Sequence, residues 1–573
     1  MLRERDARMT TTFIDPALAN DLIPGETADS LRHGLERFGP ADAQTFWMID
    51  YRNATGFTAL ALTHLELAYC GASKIVAQEG LIAGSDGFAV RLLGPFCYTA
   101  ERPMNDAADL PGRVQRLREC LCSLPETFAK DWQTKRAEIV AQNQDWQMRD
   151  FSALSKAELA VALDEALTHA LHAWTDHFRL MYPLLGLQSS FYAFADGLGI
   201  TRAEVADLLG GYRSTVTDCD LGLANLAIRA RAMGISPWLE GNDWRARLTL
   251  QGGLAAAWLR QFDGFLDRYG WRADVVGDPT QASWLEDPER PLNHIRSMLL
   301  HPAPGQKLAS LMRAITQREI TITTVRARLS TPERSVFDRA LADMQAANFV
   351  WWQEDHNPLI DLAALLPLRK VSFAAAKSLG LTDQNDIFHL FAHEVQALLE
   401  GRSQLPDHAS LIHQRKAWHA SWQGRRLSLP RHFGPVPDRV DDAIYAEIEG
   451  LSPDYLAALR GTSPSGPLRG TSACGGHAQG RARVVLSDSD LDAVQPGEIL
   501  ICEGSTPAWT PVFGRISACL SDQGGTLSHT AIIAREYGLP CIVAMGNATS
   551  HFRTGDLLCV DASKGTAERL ENA

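Results

Sequence analysis

"SDQGGTLSHTAIIAREYGLPCIVAMG", residues 521–546, sets a single histidine behind two glycines and two hydroxyl residues, directly before an apolar helical stretch. Gly524 and Gly525 allow a tight turn and a close approach of backbone to ligand. Thr526 and Ser528 supply hydroxyl groups, and a helix starting at about His529 leaves N–H groups free at its positive end. A histidine there can attack a phosphoryl group, and the helix end would hold the resulting dianion. The plainer alternative is a capping histidine without chemistry; G-G-x-x-S-H at a helix start favours the nucleophile. His529 is therefore the candidate catalytic residue, with Gly524, Gly525, Thr526 and Ser528 as candidate phosphate-binding residues.

Around this stretch lie short apolar runs separated by glycine turns: "RARVVL" (481–486), "EILIC" (498–502), "ISACLSD" (516–522), "CIVAM" (541–545) and "DLLCVD" (556–561). Short strands with one clear helix, "HTAIIAREYG", predict a small β/α domain over 471–573. "GTSPSGPLRG" (461–470) has the composition of a hinge. Residues 1–460 read mainly as helices. In "DFSALSKAELAVALDEALTHALHAWTDHFRL" (150–180), Ser155 and Glu158 form a capping box ahead of an apolar three-four repeat. "LTDQNDIFHLFAHEVQALLEG" (381–401) predicts a capped amphipathic helix that stops at Gly401. "GFAVRLLGPFCYTA" (87–100) predicts a small β element. The expected architecture is thus multidomain: a large helical domain followed by a small β/α domain.

The chain has 573 residues, enough for two to four domains. With 45% apolar and 21% charged residues it has the balance of a soluble globular protein. Lys plus Arg (55) against Asp plus Glu (68) leaves a formal charge of −13, and no dense basic cluster offsets it, so neither nucleic acid nor a membrane is an expected partner. The absence of a long apolar run and of a signal-peptide core, with ten scattered cysteines, points to reduced thiols in the cytoplasm. Cys120 and Cys122 read as helix residues, and either Met1 or Met9 could be the initiator.

"GGTLSHTAIIAREYGLPCIV" (524–543) resembles the phosphohistidine, or swivelling, domain of phosphoenolpyruvate synthase, pyruvate phosphate dikinase and rifampicin phosphotransferase. "GRARVV" (480–485), "GEILICEGSTPAWTPVF" (497–513) and "TGDLLCVDASKGTAERL" (554–570) extend the resemblance in the right order. "SACGGHAQGRARV" (472–484) departs from the family's usual Ser-Pro-Gly turn. The resemblance implies that His529 is phosphorylated at one station and discharged at another. No ATP-grasp segment is readable, and no pyruvate barrel follows the swivelling domain, which argues against pyruvate as acceptor. The layout resembles the large subunit of phenylphosphate synthase and of 4-methylbenzyl phosphate synthase, and rifampicin phosphotransferase without its ATP-grasp part. "FWMIDYRNATGFTALALTHLELA" (46–68) and the segment 351–395 resemble the body of such proteins more loosely.

This resemblance implies a separate ATP-grasp partner subunit that uses Mg²⁺ and ATP, converts ATP to AMP and phosphate, and loads His529. The carrier would then phosphorylate a small aromatic hydroxyl such as phenol or p-cresol, initiating its degradation. An antibiotic- or natural-product-directed phosphotransferase and a non-catalytic phosphocarrier remain as alternatives. Transfer to a hydroxyl needs a base and cations around the moving group. "QEDHNPLIDLAALLPLRK" (353–370) offers His356 as base, Arg369 and Lys370 as phosphate clamps, and Glu354, Asp355 and Asp361 as substrate-binding residues, joined by His393. His389 and His393 stand at helical spacing but lack a third ligand, so no metal site is expected in this chain. Phe46, Trp47, Tyr51, Trp351 and Trp352 are candidate pocket aromatics, more often simply core. Thr506, Trp509 and Thr510 would shape the carrier's docking face, whereas Arg535 and Glu536 lie too far along their helix to cap the phosphate.

Overall fold

The computed structural model describes residues 14, 16–27, 30–31, 35–50, 56–273, 277–300, 306–440, 443–461, 466–505, 509–526 and 528–570. Met1, Met9, Tyr51, Thr506 and part of the expected hinge lie outside them. The helices used below are α1 (Leu110–Met148), α2 (Lys156–Gly197), α3 (Arg202–Leu209), α4 (Thr215–Ala232), α5 (Gly253–Tyr269), α6 (Gln306–Arg328), α7 (Phe349–Leu379), α8 (Ala443–Glu449) and α9 (His529–Tyr537). Contacts sort the chain into two units.

The first unit takes the described residues of Met1–Gly186, Val275–Gln281 and Leu359–Tyr445. Its sheet has the order β1 (Leu35–Arg37), β3 (Phe88–Leu93), β4 (Phe96–Glu101), β2 (Trp47–Ile49), β5 (His432–Phe433). The predicted β element is the β3–β4 hairpin, paired from Phe88↔Glu101 to Leu93↔Phe96. Its turn needs Gly94, at φ +58, because a Cβ there would sit 2.3 Å from the Trp422 ring. Phe38, Trp47, Tyr98 and Phe433 pack edge-on or tilted in the sheet's core, so Trp47 is a core residue. The capping box is present at the head of α2: the Glu158 carboxylate accepts the Ser155 N–H at 2.8 Å. Beyond it, Leu159, Leu163 and Ala166 meet Leu368 and Val371 of α7 in one core.

The stretch 381–401 corrects the expected single helix. Asp383 caps a short 3-10 turn, Gln384–His389, and Leu390 is extended. A new helix, Ala392–Leu399, starts where the Glu394 carboxylate accepts the Phe391 N–H at 2.8 Å. His389 and His393 therefore do not share one helix. Among the described residues, no cluster of three His, Cys, Asp or Glu could hold a metal ion.

The second unit takes the described residues of Leu187–Asp274, Ala282–Pro358 and Ala446–Ala573. Residues within 1–460 therefore fall into both units. One of its cores centres on Trp258 of α5, which stacks on Phe262 at 5.4 Å and donates to the Leu226 carbonyl at 2.9 Å. Another joins Phe191 and Tyr192 of α2 to Val205 and Leu208 of α3 and to Val325 of α6. The small β/α layer follows, with strands β6 (Leu468–Arg469), β7 (Thr471–Cys474), β8 (His477–Val484), β9 (Ile499–Cys502), β10 (Ala518–Ser521), β11 (Cys541–Val543), β12 (Leu557–Asp561) and β13 (Thr566–Arg569). They order as β6-β13-β12-β8-β9-β10-β11-β7, and β8, β9, β10 and β11 run parallel. The fold is the expected one: a large helical body and a small β/α domain. All ten cysteines are free thiols, with Cys120 and Cys122 on α1. No helix among the described residues is long and apolar enough to cross a membrane.

Trp258→Ala removes a buried, hydrogen-bonded ring and is expected to cost about 3–5 kcal/mol, read as a lower midpoint in chemical unfolding. Acid sensitivity has its source in buried histidines. His64 accepts the Trp174 indole N–H at 3.1 Å, and burial lowers its pKa to about 4 and that of His177 to about 3. Both stay neutral in the folded chain while the unfolded chain protonates them below about 6.5. Their stabilisation is complete above that value and is lost as pH falls towards 4 and then 3. His177→Phe should flatten the dependence of the unfolding midpoint on pH between about 6.5 and 4 relative to the parent.

Candidate functional site

The histidine loop hangs from the carboxyl ends of parallel strands, where open α/β sheets place their ligands. After β10, the Asp522 N–H donates to the Cys502 carbonyl at 2.9 Å, and its buried carboxylate accepts the Thr549 hydroxyl at 2.5 Å. The Gln523 N–H continues the pattern to the Glu503 carbonyl at 2.9 Å. Ser528 is the N-cap of α9 and accepts the Ala531 N–H at 3.3 Å. Thr530 is tied to Ser505 by contacts of 2.9 Å to its N–H and hydroxyl. Gly538, at φ +61, ends the helix in a left-handed cap. His529 is thus the first residue of a helix fixed at both ends.

The two glycines have a packing role that the sequence did not reveal. A Cβ on Gly525 would lie 2.0 Å from the Glu447 carbonyl oxygen, and one on Gly450 would lie 2.4 Å from the Gly524 carbonyl oxygen. The loop therefore seats backbone against backbone on the end of α8. Thr526 then donates a short hydrogen bond to the Glu447 carboxylate and lies 3.2 Å from the Tyr192 hydroxyl. Gln188 donates to that same phenol oxygen at 2.7 Å, and burial raises the Tyr192 pKa with Glu447 adding to the effect. In this arrangement the Thr526 and Ser528 hydroxyls serve the seat and the cap. Arg535 also departs from expectation. Helical side chains lean towards the N-terminus, and its Nη1 donates back to the Thr526 carbonyl at 2.6 Å. Trp509 packs in the β/α core rather than on a docking face, and Thr510 opens a short helix, Thr510–Phe513.

The expected acceptor-site residues do not gather at one place. Glu354 accepts the Ser214 hydroxyl at 2.8 Å, and Asp355 accepts the Thr215 hydroxyl at 2.6 Å, so both secure the start of α4. His356 is 0% exposed and lies flat on Trp352 at 4.6 Å, which leaves no face for a substrate hydroxyl. Arg369 donates to the Pro279 carbonyl at 2.8 Å and lies over the Phe373 ring at 4.6 Å. Lys370 spends its ammonium on the carbonyls of Trp146, Gln147 and Arg149 at 3.0, 2.6 and 2.9 Å, closing the C-terminal end of α1. Its donors are used, so it is not positioned as a phosphate clamp. Asp361 is half-buried on α7, and the His393 ring stacks on Phe391 at 5.7 Å. Glu447 and Tyr192 were missed because each lies far from His529 in sequence within an ordinary helix.

The fold and the loop define a chain with a large helical part and a small β/α domain that presents a histidine at a helix start. Residues 494–565 match the family described as PEP-utilising enzyme, mobile domain, and residues 181–354 match the rifampicin phosphotransferase fourth domain. The chain is 27% identical to the chondramide synthase cmdD of Chondromyces crocatus over 93% of its own length and 14% of that protein. It is 26% identical to the uncharacterized phosphotransferase YvkC of Bacillus subtilis over 69% of its length and 47% of that protein. It is 27% identical to the rifampicin phosphotransferase of Streptomyces sviceus over 74% of its length and 48% of that protein. The chain thus spans about half or less of these curated relatives.

Gly525→Ala should unseat the loop, since the overlap is with backbone that cannot rotate away. Hydrogen exchange should rise in 524–531 and in 446–450 while the strands β9 and β10 keep their protection; unchanged exchange in both segments would contradict the seat.

Proposed function

We propose that the chain is a phosphotransferase component in which His529 carries a phosphoryl group to the hydroxyl of a small organic acceptor. The observation that carries the reading is His529 itself: first residue of α9, behind the Ser528 cap, inside the segment that matches the mobile domain. Loading forms a P–N bond at the imidazole as the donor's P–O bond breaks. Discharge breaks that P–N bond, forms P–O on the acceptor, and sends the acceptor's proton to a base. The helix N-terminus offers N–H groups to the phosphoryl oxygens in the loaded state. His529 Nε2 is enclosed in this arrangement, so loading at that atom requires the histidine loop to move. The contacts that would break are a few hydrogen bonds and one glycine seat, a modest barrier for a domain movement.

The donor in this proposal is a separate ATP-grasp subunit using Mg-ATP. For the acceptor, phenol and p-cresol are the first candidates, from the resemblance of residues 46–68 and 351–395 to the body of phenol-phosphorylating enzymes. A natural-product hydroxyl is the second, favoured by the match of 181–354 to the rifampicin phosphotransferase fourth domain. Mass spectrometry of the full chain incubated with Mg-ATP and an ATP-grasp protein should find acid-labile phosphate on His529 and none in His529→Ala. The label should be discharged by the true acceptor: p-cresol or phenol for the first reading, a polyketide or peptide hydroxyl for the second. Phosphate on a residue other than His529 would sink the proposal. Glu447→Gln should keep the label but alter its rate of discharge, because it removes the charge that holds Thr526 and not the carrier atom.

A further inference from the structure

Two buried hydroxyl side chains meet one residue beyond His529. Thr530, the second residue of α9, is 1% exposed, and Ser505, in the chain that leaves β9, is 3% exposed. They come from segments 25 residues apart and touch twice: the Ser505 N–H donates to Thr530 Oγ1 at 2.9 Å, and the two hydroxyls are 2.9 Å apart. Buried polar groups are nearly always paired, so each hydroxyl accounts for the other's burial. Burial alone does not call for a hydroxyl here. Ala531, Ile533 and Ala534 of the same helix pack into an apolar core, and valine has threonine's shape.

The link joins the head of α9 to the sheet. The Asp522 and Gln523 N–H groups donate to the Cys502 and Glu503 carbonyls at 2.9 Å, and the Ser521 hydroxyl donates to the Glu503 carbonyl at 3.1 Å. The chain leaving β9 is therefore tied to the end of β10 up to two residues before Ser505. The Ser505 N–H carries that tie across to Thr530. On the other side of His529, Ser528 caps the helix by accepting the Ala531 N–H at 3.3 Å. The cap orders the first turn from within the helix, and the link fixes where that turn stands against the strands. His529 lies between the two. Both effects matter for a charged group, because the pull of a helix end on an anion falls off within the first turn. A misplacement of about 1 Å at a reacting group can cost about a hundredfold in rate.

We infer that Ser505 and Thr530 are positioning residues for His529, and that their link sets the place of the imidazole at the head of α9. Both are buried, so they act through the peptide that joins Thr530 to His529 and not on the phosphoryl group. The catalytic consequence rests on the carrier role proposed above, whereas the placement of the ring is measurable without it.

Two readouts on the full chain test this. The first follows the ring-nitrogen resonances of His529 in protein made with isotope-labelled histidine, assigned by the signal that His529→Ala removes. Thr530→Val and Ser505→Ala should each move that signal, and Thr530→Ser should leave it as in the parent. The second uses phosphoramidate as a small phosphoryl donor. Its P–N bond breaks as ammonia leaves, a P–N bond forms on the His529 imidazole, and the ring proton passes to water. Label on His529, read by mass spectrometry, should form about tenfold or more slowly in Thr530→Val and in Ser505→Ala. The double variant should be no slower than the slower single one, and Thr530→Ser should label at the parental rate. The inference is overturned if the His529 signal in Thr530→Val and Ser505→Ala matches the parent, if those variants label at the parental rate, if their effects add in the double variant, or if Thr530→Ser behaves like Thr530→Val. Shifts as expected in the first readout, with no label on the parent in the second, would count against the carrier role while supporting the placement.

Discussion

The arrangement depends on one backbone contact: the Gly524–Gly525 turn lying against Glu447 and Gly450 with no room for a side chain on either strand. Such a contact is exact in shape but small in area. It places the loop without burying much apolar surface, so the free energy holding it comes from a few polar links. The Thr526–Glu447 hydrogen bond is charge-assisted, a class worth about 1.5–3 kcal/mol. Tyr192 and Arg535 add geometry around it. A seat built this way is definite in shape yet held by few contacts, as the proposed carrier role requires.

Inside the β/α domain the reverse holds. Asp522 is fully buried and satisfied by Thr549, and Ser505 grips Thr530 one residue beyond the histidine. The strands beneath are apolar on both faces, with Leu500, Ile501, Cys519 and Leu520 all at 0% exposure. The histidine is thus mounted on a well-packed, hydrogen-bonded frame. Preorganised backbone donors of this kind would cost no reorganisation in the proposed phosphoryl transfer.

The charged stretch 353–370 teaches how a sequence pattern can carry the right residue types for the wrong reason. Glu354 and Asp355 serve the N–H and hydroxyl groups at the start of α4, and Lys370 serves the carbonyls at the end of α1. Helix ends present unpaired donors and acceptors that must be met somewhere. Their partners here come from 140 and more than 220 residues away, so no local spacing reveals them. The same holds for Glu447, which looks like one acid among many in a short helix.

Local chemistry decided much of this protein by itself. Period and punctuation gave the helical body, the β3–β4 hairpin, the Ser155–Glu158 box and the strand runs of the β/α domain, because each rests on contacts within a few residues. The helix start at His529 was legible for the same reason: Ser528 caps three residues ahead, and the glycines announce a turn. Tertiary structure alone decided what those glycines touch, that His356 lies sealed against Trp352, and that Arg535 folds back to the loop. Those outcomes depend on how segments hundreds of residues apart pack, and packing is set by shape and burial summed over the whole fold.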